Sequence, residues 1–445
     1  MYILLYDYFP LIMYFILFIY IIKKYPFLFI LFFYLFIQQI KNILSNLYVN
    51  INAPVFMREV EKYSTNDASL LFLIFLYIPA LIVMYFMYKY KFKSLFIKYK
   101  LLFFNKRNSY FFQNMFLYGT IIIELVLILH IISYNTPLFN ENINKNNYWT
   151  DYALIPQIKI LSSQLSLLLF INGFFYAKKK LFFKYKNKKE YLYNFILLLA
   201  IFYYILMKQK FGGPLLMFFS FYLPYFVIGI IFNKINFLKL IKILFILFII
   251  LIITVYGYFY IRFGNDAVQM ILERVFSLQS EIWEVTYQYF ISNKLPFDNN
   301  EFLRELSIIF GFNNGYTGMH YVMSKVMEPD YFNFFMQIHI NLSSAYPSYL
   351  FYIFEDPYIE LIFIYIINIV LYGLYIFLGF KVIEKLLGNK VIVAGLYLKL
   401  FFSLEAIIGQ VYLNSVFNFK EILFIILLLL VESGLLKYRQ YKGGL

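Results

Sequence analysis

The chain of 445 residues contains no cysteine, only three histidines and two tryptophans. The absence of cysteine excludes disulfides, thiolate metal sites and a cysteine nucleophile. Charged side chains are also scarce, at 14% of the residues, where a soluble domain carries about a quarter. Because a water-soluble protein of this length needs far more polar side chains to cover its surface, the composition excludes an ordinary globular protein.

Hydrophobic residues make up 62% of the chain, and many of them occur in windows of the length that crosses a bilayer, about 17 to 25 residues. We find about eleven such windows: 3–22, 25–40, 68–88, 109–133, 154–177, 191–207, 214–232, 243–261, 358–380, 391–411 and 420–436. A helix satisfies its own backbone hydrogen bonds in lipid. The windows therefore predict an all-α polytopic integral membrane protein with about eleven transmembrane helices, forming one domain over residues 1–445.

Short lysine-rich segments between the windows carry much of the net charge of +15. They are residues 23–24, 89–107, 178–189, 234–242, 381–390 and the final KYRQYK. The positive-inside rule makes their side cytoplasmic, which predicts an external N-terminus, a cytoplasmic C-terminus and one large external loop at residues 262–357. The first window lacks a basic leader and a cleavage site, so it is predicted to remain as a span. Because the lysines act as topology signals, no nucleic-acid partner is predicted.

Polar residues concentrate in and just after the predicted external loop, since residues 262–360 hold half of the 24 acidic residues. Apolar side chains from Ile271 to Tyr289 recur at steps of four and three, which predicts an amphipathic helix over residues 267–292 on the surface of the bundle or the bilayer. Loops of this length are commonly functional. We therefore place the candidate site in this loop.

Two interpretations of the amphipathic helix remain open. In the first, Arg274 and Glu281 solvate an interfacial helix, and Trp283 is an anchor at the lipid headgroups. In the second, Gln279 and Trp283, one turn apart, offer an amide and an aromatic face to a sugar ring, while an arginine, Arg274 or Arg262, binds phosphate. Neither interpretation involves a metal, since the histidines of the loop lack the spacing of metal ligands.

The turn KQKFGGP, residues 208–214, lies on the same predicted side as the loop. Lys208, Lys210 and the glycine backbone could together bind a phosphate; the alternative is a plain turn between two helices. Within the windows, Glu124 and Lys399 each cost roughly 2.5 to 3.5 kcal/mol in lipid when charged. They are predicted to face protein or water, either as an ion pair or as part of a proton relay.

The stretch ERVFSLQSEIW resembles the Wzy-type polymerases of O-antigen or capsule repeat units, through Arg274, Gln279 and Trp283. The layout of many spans and one large external loop is similar as well, and the turn at Lys208 and Lys210 resembles the basic turn of such polymerases. The resemblance implies a bacterial inner membrane protein. It also implies an enzyme that transfers a growing glycan from its undecaprenyl diphosphate carrier to another lipid-linked repeat unit.

The resemblance also implies roles for individual residues. It gives diphosphate binding to Arg262, Arg274, Lys208 and Lys210, sugar contact to Gln279 and Trp283, and the general base to Glu281 or His320. It implies no cofactor. The expected partners are the undecaprenyl-diphosphate-linked glycan, membrane lipid, chain-length regulators and flippase proteins. A lipid-linked oligosaccharide flippase and an O-antigen ligase remain alternatives, since both share the substrate and the membrane.

Overall fold

The structure is a computed structural model of the chain. It describes residues 12, 15–17, 19–58, 60–64, 82, 85–86, 103, 110–140, 143, 147–182, 189–209, 212–273, 276, 281–291, 301–337, 348–352, 357–410, 423–426 and 430. Helices dominate these residues, and the only strands among them form a two-stranded antiparallel ribbon. The predicted all-α class is confirmed.

The described elements follow one another along the chain with short irregular connections. The α-helices are α1 (Pro26–Leu31), α2 (Phe33–Asn52), α3 (Tyr110–Ser133), α4 (Lys159–Ser163), α5 (Leu165–Phe182), α6 (Lys189–Leu206), α7 (Gly212–Ile231), α8 (Phe237–Phe263), α9 (Ala267–Leu272), α10 (Glu281–Ile291), α11 (Glu301–Ile309), α12 (Met319–Val326), α13 (Pro329–Gln337), α14 (Ser348–Phe351), α15 (Pro357–Leu387) and α16 (Val391–Gln410). The strands are β1 (Phe56–Met57) and β2 (Lys62–Tyr63).

Five helical stretches of the described residues are long and apolar enough to cross a membrane. They are Phe111–Phe139, Pro156–Phe182, Gly212–Ile231, Ile362–Leu387 and Val391–Gly409. A sixth apolar helix, Glu190–Leu206, is shorter. These helices fit a membrane-embedded protein, but they do not support the predicted count of eleven. The windows 3–22, 68–88 and 420–436 lie mostly outside the described residues.

The second window, residues 25–40, is not an independent transmembrane helix. The helix breaks at Phe32, between α1 and α2, and α2 then continues well beyond the window to Asn52. The later turns of α2 carry buried polar side chains such as Asn42 and Asn46. Because amides and lipid are poorly matched, this part of α2 is surrounded by protein instead.

Glycines allow the long helices of the bundle to approach closely. Gly173 on α5 faces the backbone of Phe221 on α7, and Gly379 on α15 faces the ring of Phe32. At both positions a Cβ atom would overlap the neighbouring atoms. Helix association in membranes depends on such close packing, so α5, α7 and α15 form the centre of the bundle.

Contacts at the two ends of the bundle agree with the predicted sidedness of the connections. At one end, the Lys178 ammonium donates to Asn389 Oδ1 at 3.5 Å, which joins two segments that the lysine pattern assigns to one side. At the other end, the Lys208 ammonium donates to the carbonyl oxygen of Asn140 at 3.1 Å. Both of these residues belong to connections that are predicted to be external.

Candidate functional site

The predicted external loop contains a folded group of short helices, α10 to α14, which we call the polar element. Its interior is apolar, with Trp283 of α10 edge-on to Phe351 of α14 at 5.9 Å between ring centroids. Val322 and Met323 of α12 are also fully buried. The loop is therefore folded around its own core.

The helix α10 is buried on all sides over its first six residues, 281–286. Glu281 is 1% exposed and Trp283 is 2% exposed. The interpretation of a solvated interfacial helix with a tryptophan headgroup anchor is therefore wrong for these two side chains. The predicted helix 267–292 is present as α9 and α10, and most of residues 274–280 lie outside the described residues. Periodicity identified the helix, but it could not show that other helices cover it.

Glu305 on α11 is a buried carboxylate held by two neighbours. The Tyr349 hydroxyl donates to Glu305 Oε2 at 2.9 Å, and the Arg304 guanidinium lies 3.4 Å from Glu305 Oε1. Burial, followed by the nearby Glu305 carboxylate, raises the pKa of Tyr349 well above its ordinary value. Because a buried carboxylate needs such donors, Tyr349 and Arg304 fix the position of Glu305.

Arg304 also provides a cation at the surface of the polar element. Its guanidinium lies 4.5 Å from the centre of the Tyr321 ring, and its side chain is 34% exposed. A planar guanidinium that is held by a ring and a carboxylate, yet remains open to solvent, is suited to phosphate oxygens. Arg304 is absent from the predicted site because no motif surrounds it in the sequence.

The β1–β2 ribbon and α2 attach the polar element to the membrane helices. The Gln288 amide donates to the carbonyl oxygen of Tyr63 at 2.9 Å, and the Lys62 ammonium reaches the carbonyl oxygen of Val326 at 3.4 Å. The Ser45 hydroxyl of α2 donates to the carbonyl oxygen of Phe276. These contacts place α2 and the ribbon beside the polar element.

A row of buried polar side chains follows one face of α2, and we call it the amide stripe. It consists of Gln39, Asn42, Ser45, Asn46 and Asn50. Steps of three and four residues bring them onto one side of the helix. At the membrane end, the Gln39 amide donates to the Tyr372 hydroxyl of α15 at 2.7 Å. The stripe thus connects the bundle to the polar element.

The predicted site does not include the amide stripe, although its signal is visible as QQIKNILSNLYVNIN. Amides and hydroxyls in such a row can hydrogen-bond the hydroxyls of a sugar, since each offers both a donor and an acceptor. The stripe was hidden because its first residues belong to a window that is apolar enough to be interpreted as a membrane span.

The predicted site residues have different positions in the structure. Arg274, Gln279 and Lys210 lie outside the described residues. Arg262 is exposed at the end of α8, with its guanidinium 5.3 Å from the Phe263 ring. His320 is partly exposed near the start of α12. Among the candidates for the base, His320 is therefore accessible and Glu281 is covered.

Lys208 occupies a separate position, against the connection that follows α3. Its ammonium donates to the carbonyl oxygens of Asn140 and Ile143, at 3.1 and 3.4 Å. Its backbone is left-handed, with φ of 60°, and its N–H bonds the carbonyl oxygen of Ile205 at 2.9 Å. These contacts favour the interpretation of a structural turn at the end of α6.

The predicted ion pair between Glu124 and Lys399 is wrong. Glu124 is fully buried in α3, and neither of its carboxyl oxygens has a hydrogen-bond partner. Lys399 instead lies 4.3 Å from the centre of the Phe424 ring. The separation has a structural reason, because α3 packs mainly on α5 and α6, whereas α16 packs mainly on α15 and α5.

His130, also in α3, has neighbours that indicate a structural role. Its Nε2 atom accepts from the backbone N–H of Ile155 at 3.2 Å, and its ring stacks on Trp149 at 5.6 Å. In the part of the chain that the structure describes, no group of three or more histidine, aspartate or glutamate side chains could hold a metal ion.

Comparison with known proteins gives one match. Residues 313–425, which include α12 to α16, match DUF6418, a family of unknown function. No curated protein and no solved structure matches the chain. The matched region includes His320 and Tyr349 of the polar element, so the family contains part of the candidate site together with the last two long helices.

Proposed function

We propose that this chain is a Wzy-type polymerase, which joins undecaprenyl-diphosphate-linked oligosaccharide units into O-antigen or capsular polysaccharide. The observation that carries the proposal is the position of the polar element against the amide stripe of α2, directly beside apolar membrane helices. A substrate with a lipid carrier and a glycan needs such a boundary, where hydroxyls and phosphates meet polar side chains while the carrier stays in lipid.

The transfer reaction requires three contributions from the protein. The departing diphosphate needs cations, the acceptor hydroxyl needs a base, and the sugars need hydrogen-bonding groups. Arg262 at the end of α8 and Arg304 on the polar element are the described cations that we assign to the diphosphate. The amide stripe supplies hydrogen bonds for sugars. Arg274, Gln279 and Lys210 keep the roles that the resemblance implies.

We assign the general base to His320. A base must come within hydrogen-bond distance of the proton that it removes, and His320 is partly exposed on α12. Glu281 is buried beneath the other helices of the polar element, so it serves as the alternative. Trp283 packs on Phe351 and holds α10 and α14 together beneath the proposed sugar site.

The proposed location is the bacterial inner membrane, with the polar element on its periplasmic face. The substrate reaches this face only after a flippase has moved it across the membrane, so a flippase is a proposed functional partner. A chain-length regulator would act on the polymer as it grows. The lysine-rich connections at the opposite end of the bundle support this orientation.

A lipid-linked oligosaccharide flippase is the second candidate, and one observation favours it. Glu124 is fully buried within a membrane helix, and ionisable groups at such positions often belong to transport pathways. The concentration of polar groups at the polar element favours the polymerase. A ligase shares the polymerase chemistry at the donor and differs in its acceptor, so only the products separate the two.

Deleting the gene in its host and separating the glycans by size tests the proposal. Loss of a polymerase leaves single capped repeat units, loss of a ligase leaves lipid-linked polymer, and loss of a flippase leaves unexported precursor. We expect single repeat units, with the ladder of long glycans restored by the wild-type gene. Long glycans in the deletion strain, whether capped or lipid-linked, would contradict the polymerase assignment.

A further inference from the structure

Lys41 lies on α2 at the border between its lipid-facing side and its buried side. On about 100° per residue, Lys41 is located midway between Ile37 and Ser45 around the helix. Ile37 is 45% exposed, whereas Ser45 is fully buried, and Lys41 itself is half-buried. An ammonium at this position can meet a ligand that approaches from the lipid.

Neighbouring turns of α2 add further hydrogen-bond donors to the same ridge. Tyr34, Gln38, Lys41 and Ser45 follow one another at steps of four, three and four residues, which places them within a narrow arc of the helix. We call these four residues the donor row. It spans about 16 Å at about 1.5 Å per residue. Every member can donate a hydrogen bond, and phosphate oxygens only accept them.

The helix α16 approaches the membrane end of the donor row at Gly409. A Cβ atom on Gly409 would lie 3.3 Å from the Gln38 amide nitrogen and 3.4 Å from the Tyr34 hydroxyl. Glycine therefore leaves room around these two polar groups. At the other end of the row, Ser45 bonds the carbonyl oxygen of Phe276, so the row leads directly toward the polar element.

The Lys41 ammonium is partly removed from water without a carboxylate to balance its charge. The ion pairs among the described residues involve other lysines and Arg304, and burial lowers the pKa of Lys41. Desolvating a cation costs free energy unless an anion compensates it. An anion from outside the chain would restore the lost interaction.

We infer that the donor row, centred on Lys41, binds the phosphate group of a membrane lipid, with the lipid chain beside Ile37. This inference rests on the proposed function for its preferred ligand, which is the polyprenyl diphosphate carrier. The carrier stays in lipid on the exposed side of α2. The attached sugars extend around the helix, over Asn42 and Asn46 of the amide stripe, toward the polar element.

Binding to the purified full-length chain tests the inference. The protein is reconstituted in phosphatidylcholine nanodiscs and titrated with undecaprenyl diphosphate, with phosphatidylglycerol and with inorganic pyrophosphate in separate arms. Lys41→Gln should weaken undecaprenyl diphosphate binding by about tenfold or more, since a charge-assisted hydrogen bond is lost. Lys41→Arg keeps the charge and should bind within a few-fold of the wild type.

Lys159→Gln is the matched control, because Lys159 is an exposed lysine on the same predicted side, and it should bind as the wild type does. Gel filtration and thermal unfolding of Lys41→Gln verify that it is folded. A dependence on Lys41 for phosphatidylglycerol alone supports the phosphate site and identifies a lipid headgroup as its ligand. Equal binding of every probe by Lys41→Gln and the wild type overturns the inference.

The outcome is separable from that of the proposed function. If gene deletion leaves the glycan ladder unchanged while Lys41-dependent binding persists, the polymerase proposal fails and the phosphate site stands. If deletion removes the ladder while Lys41→Gln binds normally, the phosphate site fails and the polymerase proposal stands.

Discussion

Gly173 on α5 faces the backbone carbonyl oxygen of Phe221 on α7 so closely that no Cβ atom fits between them. The contact joins two of the helices that are long and apolar enough to cross the membrane. Both residues are also fully buried. The approach of α5 and α7 therefore depends on the absence of a side chain at a single position.

Gly173→Ala should destabilise the bundle by more than an ordinary small-to-large change, which costs about 1 to 3 kcal/mol, because the obstacle is backbone and cannot rotate away. Thermal unfolding of the detergent-solubilised protein measures the loss. Gly119→Ala on α3 is the control, since nothing lies within 4 Å of the Cβ that it would add. Equal melting temperatures for the two variants would contradict the close packing.

Tyr349→Phe should destabilise the polar element, because it removes the hydroxyl that donates to the buried Glu305 carboxylate. Loss of a hydrogen bond to a buried charged group costs about 1 to 3 kcal/mol. Limited proteolysis of the polar element measures its opening. Tyr316→Phe, at an exposed tyrosine, should change nothing; similar cleavage rates for both variants would show that the Tyr349 bond is unimportant.

His320→Ala should remove long glycans from complemented deletion strains while leaving the protein at its normal level, because it lacks the proposed base. Glycan length on a gel and immunoblotting of the membrane fraction are the measurements. Asn333→Ala, at an exposed position on α13, should restore the full ladder. A normal ladder from His320→Ala, together with none from Glu281→Gln, would move the role of base to Glu281.

Lys208→Gln should lower thermal stability, because it removes the bonds from the ammonium to the carbonyl oxygens of Asn140 and Ile143. Lys234→Gln, at an exposed lysine, should melt like the wild type. We expect undecaprenyl diphosphate binding to be retained in Lys208→Gln. Lost binding at an unchanged melting temperature would instead support the phosphate-binding turn that the sequence suggests.

Much of the membrane architecture follows from the sequence. Hydropathy is summed over about twenty residues, so the windows at α3, α5, α7, α15 and α16 remain visible whatever their neighbours do. The lysine-rich connections predict which segments share a side, and the contact between Lys178 and Asn389 agrees with them. Both properties depend on the solvent that surrounds a helix more than on its partners.

The candidate site is less predictable because it depends on which helices cover one another. The apolar period of α10 predicts a helix with one buried face, yet α14 and its neighbours bury Glu281 and Trp283 as well. On α2 the polar residues mark a face toward protein, which a hydropathy window averages away. Lys41 belongs to the same stretch and gains its significance only from its position between lipid and the buried stripe.

Labelling of single cysteines tests the central claim, that the polar element and the lysine-rich connections lie on opposite sides of the membrane. The chain has no cysteine, so Asn313→Cys and Lys239→Cys, both at exposed positions, each give one reactive thiol. In spheroplasts, a membrane-impermeant maleimide should label Asn313→Cys at once and Lys239→Cys only after permeabilisation. The reverse order of labelling would place the polar element in the cytoplasm and contradict the proposed site of glycan transfer.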